Sequence, residues 1–91
     1  MPRYMVERHL PGLTADMLKA AATRAKHTTA QMTQEGTPVR YLRSTFVPGE
    51  DKCFCLFEGS SKETIKEANE RAQIPFERIH EAVFVVSEEL S

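Results

Sequence analysis

With 91 residues the chain is one domain, because a polypeptide this short buries only about 60–65% of its unfolded surface and has no apolar area left for a second core. Hydrophobic residues at 41% and charged residues at 27% set aside disorder, and no apolar run approaches the ~20 residues of a membrane-spanning helix. Lys and Arg number 12 against 13 Asp and Glu, a net charge of -1, which offers no electrostatic footprint for nucleic acid and no bias toward anionic lipid. Met1-Pro2-Arg3-Tyr4 leads into strand-like sequence rather than a secretory leader, so the expected location is the cytoplasm.

Tyr4 to His9 suits a pleated surface and stops at Leu10-Pro11-Gly12, a run of turn residues. A helix follows. Thr14 is its N-cap, Asp16 places negative charge in the first turn, and Leu13 and Leu18 occupy the positions of a hydrophobic staple. Leu18, Ala21, Ala22, Ala25, Thr28, Thr29 and Met32 then recur at helical spacing until Gly36-Thr37-Pro38 ends the periodicity. Val39 to Val47 reads as a second strand in which Val39, Tyr41, Arg43, Thr45 and Val47 share one face. Pro48 to Asp51 is a turn, and Cys53 to Glu58 is the strongest strand signal in the chain, so the two strands form a hairpin. Ser60 and Glu63 give a capping-box pattern ahead of Ile65, Ala68, Asn69 and Ala72 on one helical face. Ile74-Pro75 closes this helix, and Ile79 to Val86 supplies the last strand.

The order βαββαβ is the split βαβ, ferredoxin-like α+β arrangement: a four-stranded antiparallel sheet with two helices on one face. Cys53 to Phe57 and Ala82 to Val86 are nonpolar at every position, whereas a sheet with one wet face alternates. Both faces therefore read as buried. With only two helices to cover them, the second face is expected to meet the same face of another copy in a homodimer, the dimeric α/β barrel arrangement.

Few residues stand out as chemistry. Cys53 and Cys55 point to the same side of their strand, but no second Cys/His cluster completes a structural zinc site, and same-face Cα atoms about 6.5–7 Å apart are poorly placed for a mutual disulfide. They read as small buried hydrophobes. Glu7 and His9 project from one side of the first strand, with Arg8 on the other, as an acid/base pair or two ligands of a divalent ion. His80 shares a face with Ala82 and Phe84 and reads as a core histidine. Asn69 lies on the sheet-facing stripe of the second helix, where a buried amide needs partners. Tyr41, Arg43 and Ser44 add a phenol, a cation and a hydroxyl near it, and Glu58 ends an otherwise apolar strand. No phosphate-binding glycine loop, G-x-S-x-G elbow or H-E-x-x-H is present.

Met1 to Arg8, Gly12-Leu13-Thr14, Asp51 to Glu58 and Ile74 to Ile79 together resemble the family called domain of unknown function 4242, with Phe54-Cys55-Leu56 and Glu58 the most specific segments. The resemblance spans nearly the whole chain and implies small ferredoxin-like dimers, one branch of which binds nickel. In that branch histidines stand where this chain has Asn69 and Ala22, so the ligands left to hold nickel are Glu7, His9, Cys55 and Glu58. Two functions follow as expectations: a non-catalytic homodimer binding a small ligand or a metal, or a cofactor-free dimeric barrel enzyme of monooxygenase or isomerase type working in a pocket bounded by Tyr41, Asn69 and His80. A purely structural assembly module is the third reading.

Overall fold

A computed structural model describes residues 1–91. Strand β1 (Arg3–His9) leads into helix α1 (Ala15–Gln34), then β2 (Val39–Val47), β3 (Lys52–Gly59), α2 (Lys62–Arg71) and β4 (Arg78–Ala82). The sheet order is β2-β3-β1-β4 with every neighbouring pair antiparallel. This is the ferredoxin-like α+β fold expected from the sequence. No helix is long and apolar enough to cross a membrane.

The helix boundaries follow from local chemistry. Thr14 is extended and its Oγ1 accepts from the Met17 N–H at 3.1 Å, while Asp16 sits in the first turn of α1. Beyond the helix, Gly36 adopts φ +100°, a left-handed conformation that a side chain would strain. At α2 the cap is Ser61, which accepts from the Thr64 N–H at 3.2 Å, not the expected Ser60. The helix begins one residue later than the Ser60/Glu63 pattern implies, and Ser60 reaches only the Thr64 hydroxyl.

One sheet face carries Tyr4, Val6 and Arg8 of β1, Cys53, Cys55 and Phe57 of β3 and Ile79 of β4, all buried beneath the helices. Ala25 and Met32 of α1 and Ile65, Ala68 and Ala72 beside α2 close this core. The opposite face, carrying Met5, Glu7, Phe54, Leu56 and His80, has no helix over it.

Two departures from the expected strands matter for the site. Tyr41 pairs with Phe57 and Arg43 with Leu56, so Leu42 is the extra residue of a β-bulge. A single inserted residue inverts the alternation that follows it. Tyr41 therefore shares the helix side with Ser44 and Phe46, while Arg43 and Thr45 face the open side, and the five-residue face expected for this strand breaks at Leu42. Threonines of α1 replace a neighbouring strand here: Thr33 Oγ1 donates to Val39 O at 2.8 Å and accepts from the Val39 N–H at 3.1 Å, and Thr29 Oγ1 accepts from the Tyr41 N–H at 3.3 Å. The second departure is β4, which stops at Ala82 rather than Val86. Ala82 pairs with Arg3, the first residue of β1, so the ladder has no further partner. Val83 is consequently 90% exposed, whereas Phe84 turns back over the open face.

Candidate functional site

Beneath the helices lies a connected set of polar groups centred on Arg8, whose place on β1 follows from alternation with Tyr4 and Val6. Arg8 is only 1% exposed. Its Nε–H donates to Cys55 Sγ at 3.3 Å, one Nη to Asn69 Oδ1 at 2.6 Å, and the other to the carbonyls of Ile74 and Pro75 at 3.4 and 3.2 Å. Asn69 in turn donates through Nδ2 to Ile65 O at 2.8 Å. Ser44 Oγ lies 3.0 Å from Cys55 Sγ and 2.7 Å from the Tyr41 hydroxyl, and the Cys53 and Cys55 sulfurs are 3.8 Å apart. Every buried side-chain nitrogen and oxygen has a partner.

The electrostatics of this set are unusual. A cation removed from water needs an anion, yet Arg8 meets no carboxylate: its partners are two carbonyls, an amide and a thiol. The hydrogen bond from Cys53 holds the Cys55 thiol down to about 5, helped by the Arg8 charge and by Ser44 and opposed by burial. The same Cys53–Cys55 hydrogen bond, with burial, pushes Cys53 up. Burial also raises the Tyr41 phenol.

This asymmetry has a stability consequence. A thiol whose pKa falls on folding contributes stability that is complete above its unfolded value and is lost as pH drops toward its folded value. For Cys55 that window runs from 9.0 down to about 5. The urea midpoint is expected to rise steadily between these limits, and Cys55→Ser should flatten that rise. An unchanged slope in the variant would show that Cys55 does not titrate there.

On the open face, Glu7 is the focal group. Its Oε1 lies 3.0 Å from His80 Nε2 and 3.5 Å from Arg78 Nε, and its Oε2 is 3.0 Å from Lys52 Nζ. The His80 hydrogen bond, then that of Lys52, hold the Glu7 carboxyl below its ordinary range. His80 is thus an exposed partner of Glu7 rather than a core histidine, because β4 is an edge strand and the ladder places His80 beside Met5 on the uncovered side. Glu58 sits between Arg3 at 3.8 Å and Arg40 at 3.2 Å. Between these charged groups runs an apolar groove of about 290 Å³ lined by Met5, Arg43, Thr45, Phe54, Leu56 and Phe84. The Arg43 and Arg3 guanidinium carbons lie 4.9 and 5.9 Å from the centre of the Phe84 ring.

The residues singled out from sequence divide between these two faces. Tyr41 and Asn69 belong to the buried set and His80 to the open face, so the three do not bound one pocket. Glu7, His9 and Glu58 share the open side, while Cys55 lies on the other. No group of three or more His, Cys, Asp or Glu side chains converges within one chain as a metal cage. Sequence reading passed over Arg8, Lys52 and Arg78. For Arg8 the signal was present, since strict alternation with Tyr4 and Val6 sends it inward.

The fold and its two polar centres define a small ferredoxin-like protein with a thiol–guanidinium pair under its helices and a charged, apolar sheet face left open. Residues 4–82 match the nickel-responsive proteins described as SCO4226-like, and the chain belongs to that family. The name domain of unknown function 4242 is not the one this match carries. Among solved structures, the chain is similar to SCO4226 from Streptomyces coelicolor A3(2), with 24% identity, a TM-score of 0.75, and coverage of 92% of this chain and 99% of that one. At that identity the likeness speaks for the fold. No curated protein matches the chain in sequence.

Proposed function

We propose that two copies of this chain pair through the open sheet face and hold a small ligand or a divalent metal there, nickel being the ion to which the family description points. The observation that carries this reading is the uncovered groove, whose apolar floor of Met5, Phe54, Leu56 and Phe84 is bordered by Arg43 and Thr45. Sheet faces of this kind are stable when packed on another sheet, and the exposed Val83, Val85 and Leu90 add apolar surface to be covered. Glu7 and His80 offer one oxygen and one imidazole nitrogen 3.0 Å apart, a donor set that suits nickel. Two donors leave the ion incompletely held, and the second copy supplies the remainder.

Sedimentation velocity and calorimetric nickel titration test this together. The expected results are a two-chain mass and a saturable heat that His80→Ala removes. A single-chain mass at micromolar concentration would overturn the pairing, and heat equal to that of buffer would overturn the metal.

A further inference from the structure

We propose that Cys55 is present as a thiolate, the buried counter-ion of Arg8, and that it is the residue at which this protein is oxidised by hydroperoxides, giving a sulfenic acid. The site lies on the helix side of the sheet, and the proposal is independent of the function proposed for the open face.

The geometry around the sulfur is that of an acceptor. Three potential donors converge on Cys55 Sγ: the Arg8 Nε–H at 3.3 Å, the Ser44 hydroxyl at 3.0 Å and the Cys53 thiol at 3.8 Å. The Arg8 group has no lone pair to receive a proton from Cys55. The Tyr41 and Ser44 hydroxyls lie 2.7 Å apart and either can donate, so the pair is free to turn both O–H groups toward an ionised sulfur, Tyr41 to Ser44 to Cys55. A thiolate accepts all three, and it is the one ionisable anion among the partners of a guanidinium that is 1% exposed. Charge neutrality inside the core is met by the Arg8–Cys55 pair. The ionisable groups facing Cys55 are Arg8 from β1, Tyr41 from β2 and Cys53 from its own strand; α2 presents Asn69 and α1 presents Ala25, Thr29 and Met32, none of which titrates.

A depression of about 600 Å³ between α1 and β2, lined by Thr29, Ala30, Tyr41 and Leu42 among others, reaches Tyr41. Its lining stops at Tyr41, so a small oxidant entering there reaches the sulfur when the Tyr41 and Ser44 hydroxyls part. In the reaction the thiolate attacks the terminal oxygen of a hydroperoxide. A sulfur–oxygen bond forms as the oxygen–oxygen bond breaks; sulfur loses two electrons, and the departing alkoxide or hydroxide takes a proton from water to leave as alcohol or water. The product is retained as a sulfenic acid, because the strand keeps the Cys53 and Cys55 Cα atoms about 6.5–7 Å apart, at the upper limit for a disulfide. The Cys53 sulfur, kept protonated, is moreover a poor nucleophile.

The test uses the full-length protein with hydrogen peroxide. Ultraviolet absorbance at pH 7 should report one thiolate per chain, absent in Cys55→Ser and retained in Cys53→Ser, whose hydroxyl still donates. Intact-mass and peptide spectrometry should show one added oxygen, located at Cys55. The rate of that gain should fall by no more than about twofold between pH 8 and pH 6, whereas an ordinary thiol loses about 75-fold of its thiolate over that span. Arg8→Lys, which keeps a cation but not the fork, should weaken the thiolate signal; if it does not fold, the pH profile of the unaltered protein decides the matter. No thiolate absorbance at pH 7, oxidation at Cys53 first, a disulfide as the product, unchanged mass after prolonged peroxide, or a rate that follows an ordinary thiol would each overturn the proposal.

Discussion

Arg8→Met is expected to lower the free energy of unfolding by about 3–5 kcal/mol, the usual result of removing one member of a buried charge pair. Methionine fills much of the volume of the arginine stem, so lost packing is a minor part of the effect. What disappears is the set of donors to Cys55, Asn69 Oδ1 and the carbonyls of Ile74 and Pro75. Each orphaned buried acceptor costs about 1–3 kcal/mol, and the thiolate must take up a proton to avoid standing alone. Against a total stability of about 5–15 kcal/mol for a domain, the variant loses a large share of its margin. Asn69→Leu in the same background should recover part of the loss, because replacing both partners by apolar groups leaves fewer polar atoms stranded. Urea unfolding of the two single variants and the double variant measures this coupling, and strict additivity would show that Arg8 and Asn69 do not act as a unit.

Phe57→Ala should cost a similar amount, about 3–5 kcal/mol, but by a different route. Phe57 is 1% exposed in the central strand pair, opposite Tyr4 on one side and Tyr41 on the other. Its ring meets that of Tyr41 edge-on at 5.5 Å and 65°, so alanine leaves a cavity that neighbours held by backbone ladders cannot close. Phe54, three residues earlier on the same strand, faces the open side. Phe54→Ala should therefore be mild in dilute solution and more damaging at concentrations where two chains are paired, if the pairing proposed above holds. Urea midpoints measured across a hundredfold range of protein concentration would separate the two positions; a concentration-independent Phe54→Ala effect as large as that of Phe57→Ala would contradict this account of the two faces.

Much of the architecture is legible in the residues themselves. Alternation marked the strands, helical spacing marked the inward stripes of α1 and α2, and Thr14 and Gly36 marked the helix ends, because these signals depend on neighbours within a few residues. Asn69 was identified as a buried amide in need of partners for the same reason. The identity of its partner was not, since Arg8 lies 61 positions away and no local rule pairs an arginine with an amide at that distance.

The sequence alone determined the βαββαβ order, the antiparallel sheet and the inward faces, because those follow from side-chain period, turn residues and caps. Tertiary structure decided the rest. The bulge at Leu42 arises where Thr29 and Thr33 of α1 bond the β2 backbone, and it carries Ser44 to the Cys55 side. The length of β4 was set by the point at which β1 runs out of residues to pair. The position of β4 at the sheet edge made His80 a partner of Glu7 instead of a core residue. Each depends on what a distant segment presents in space, and a hydrogen bond or a charge pair specifies distance and direction between atoms, not separation along the chain.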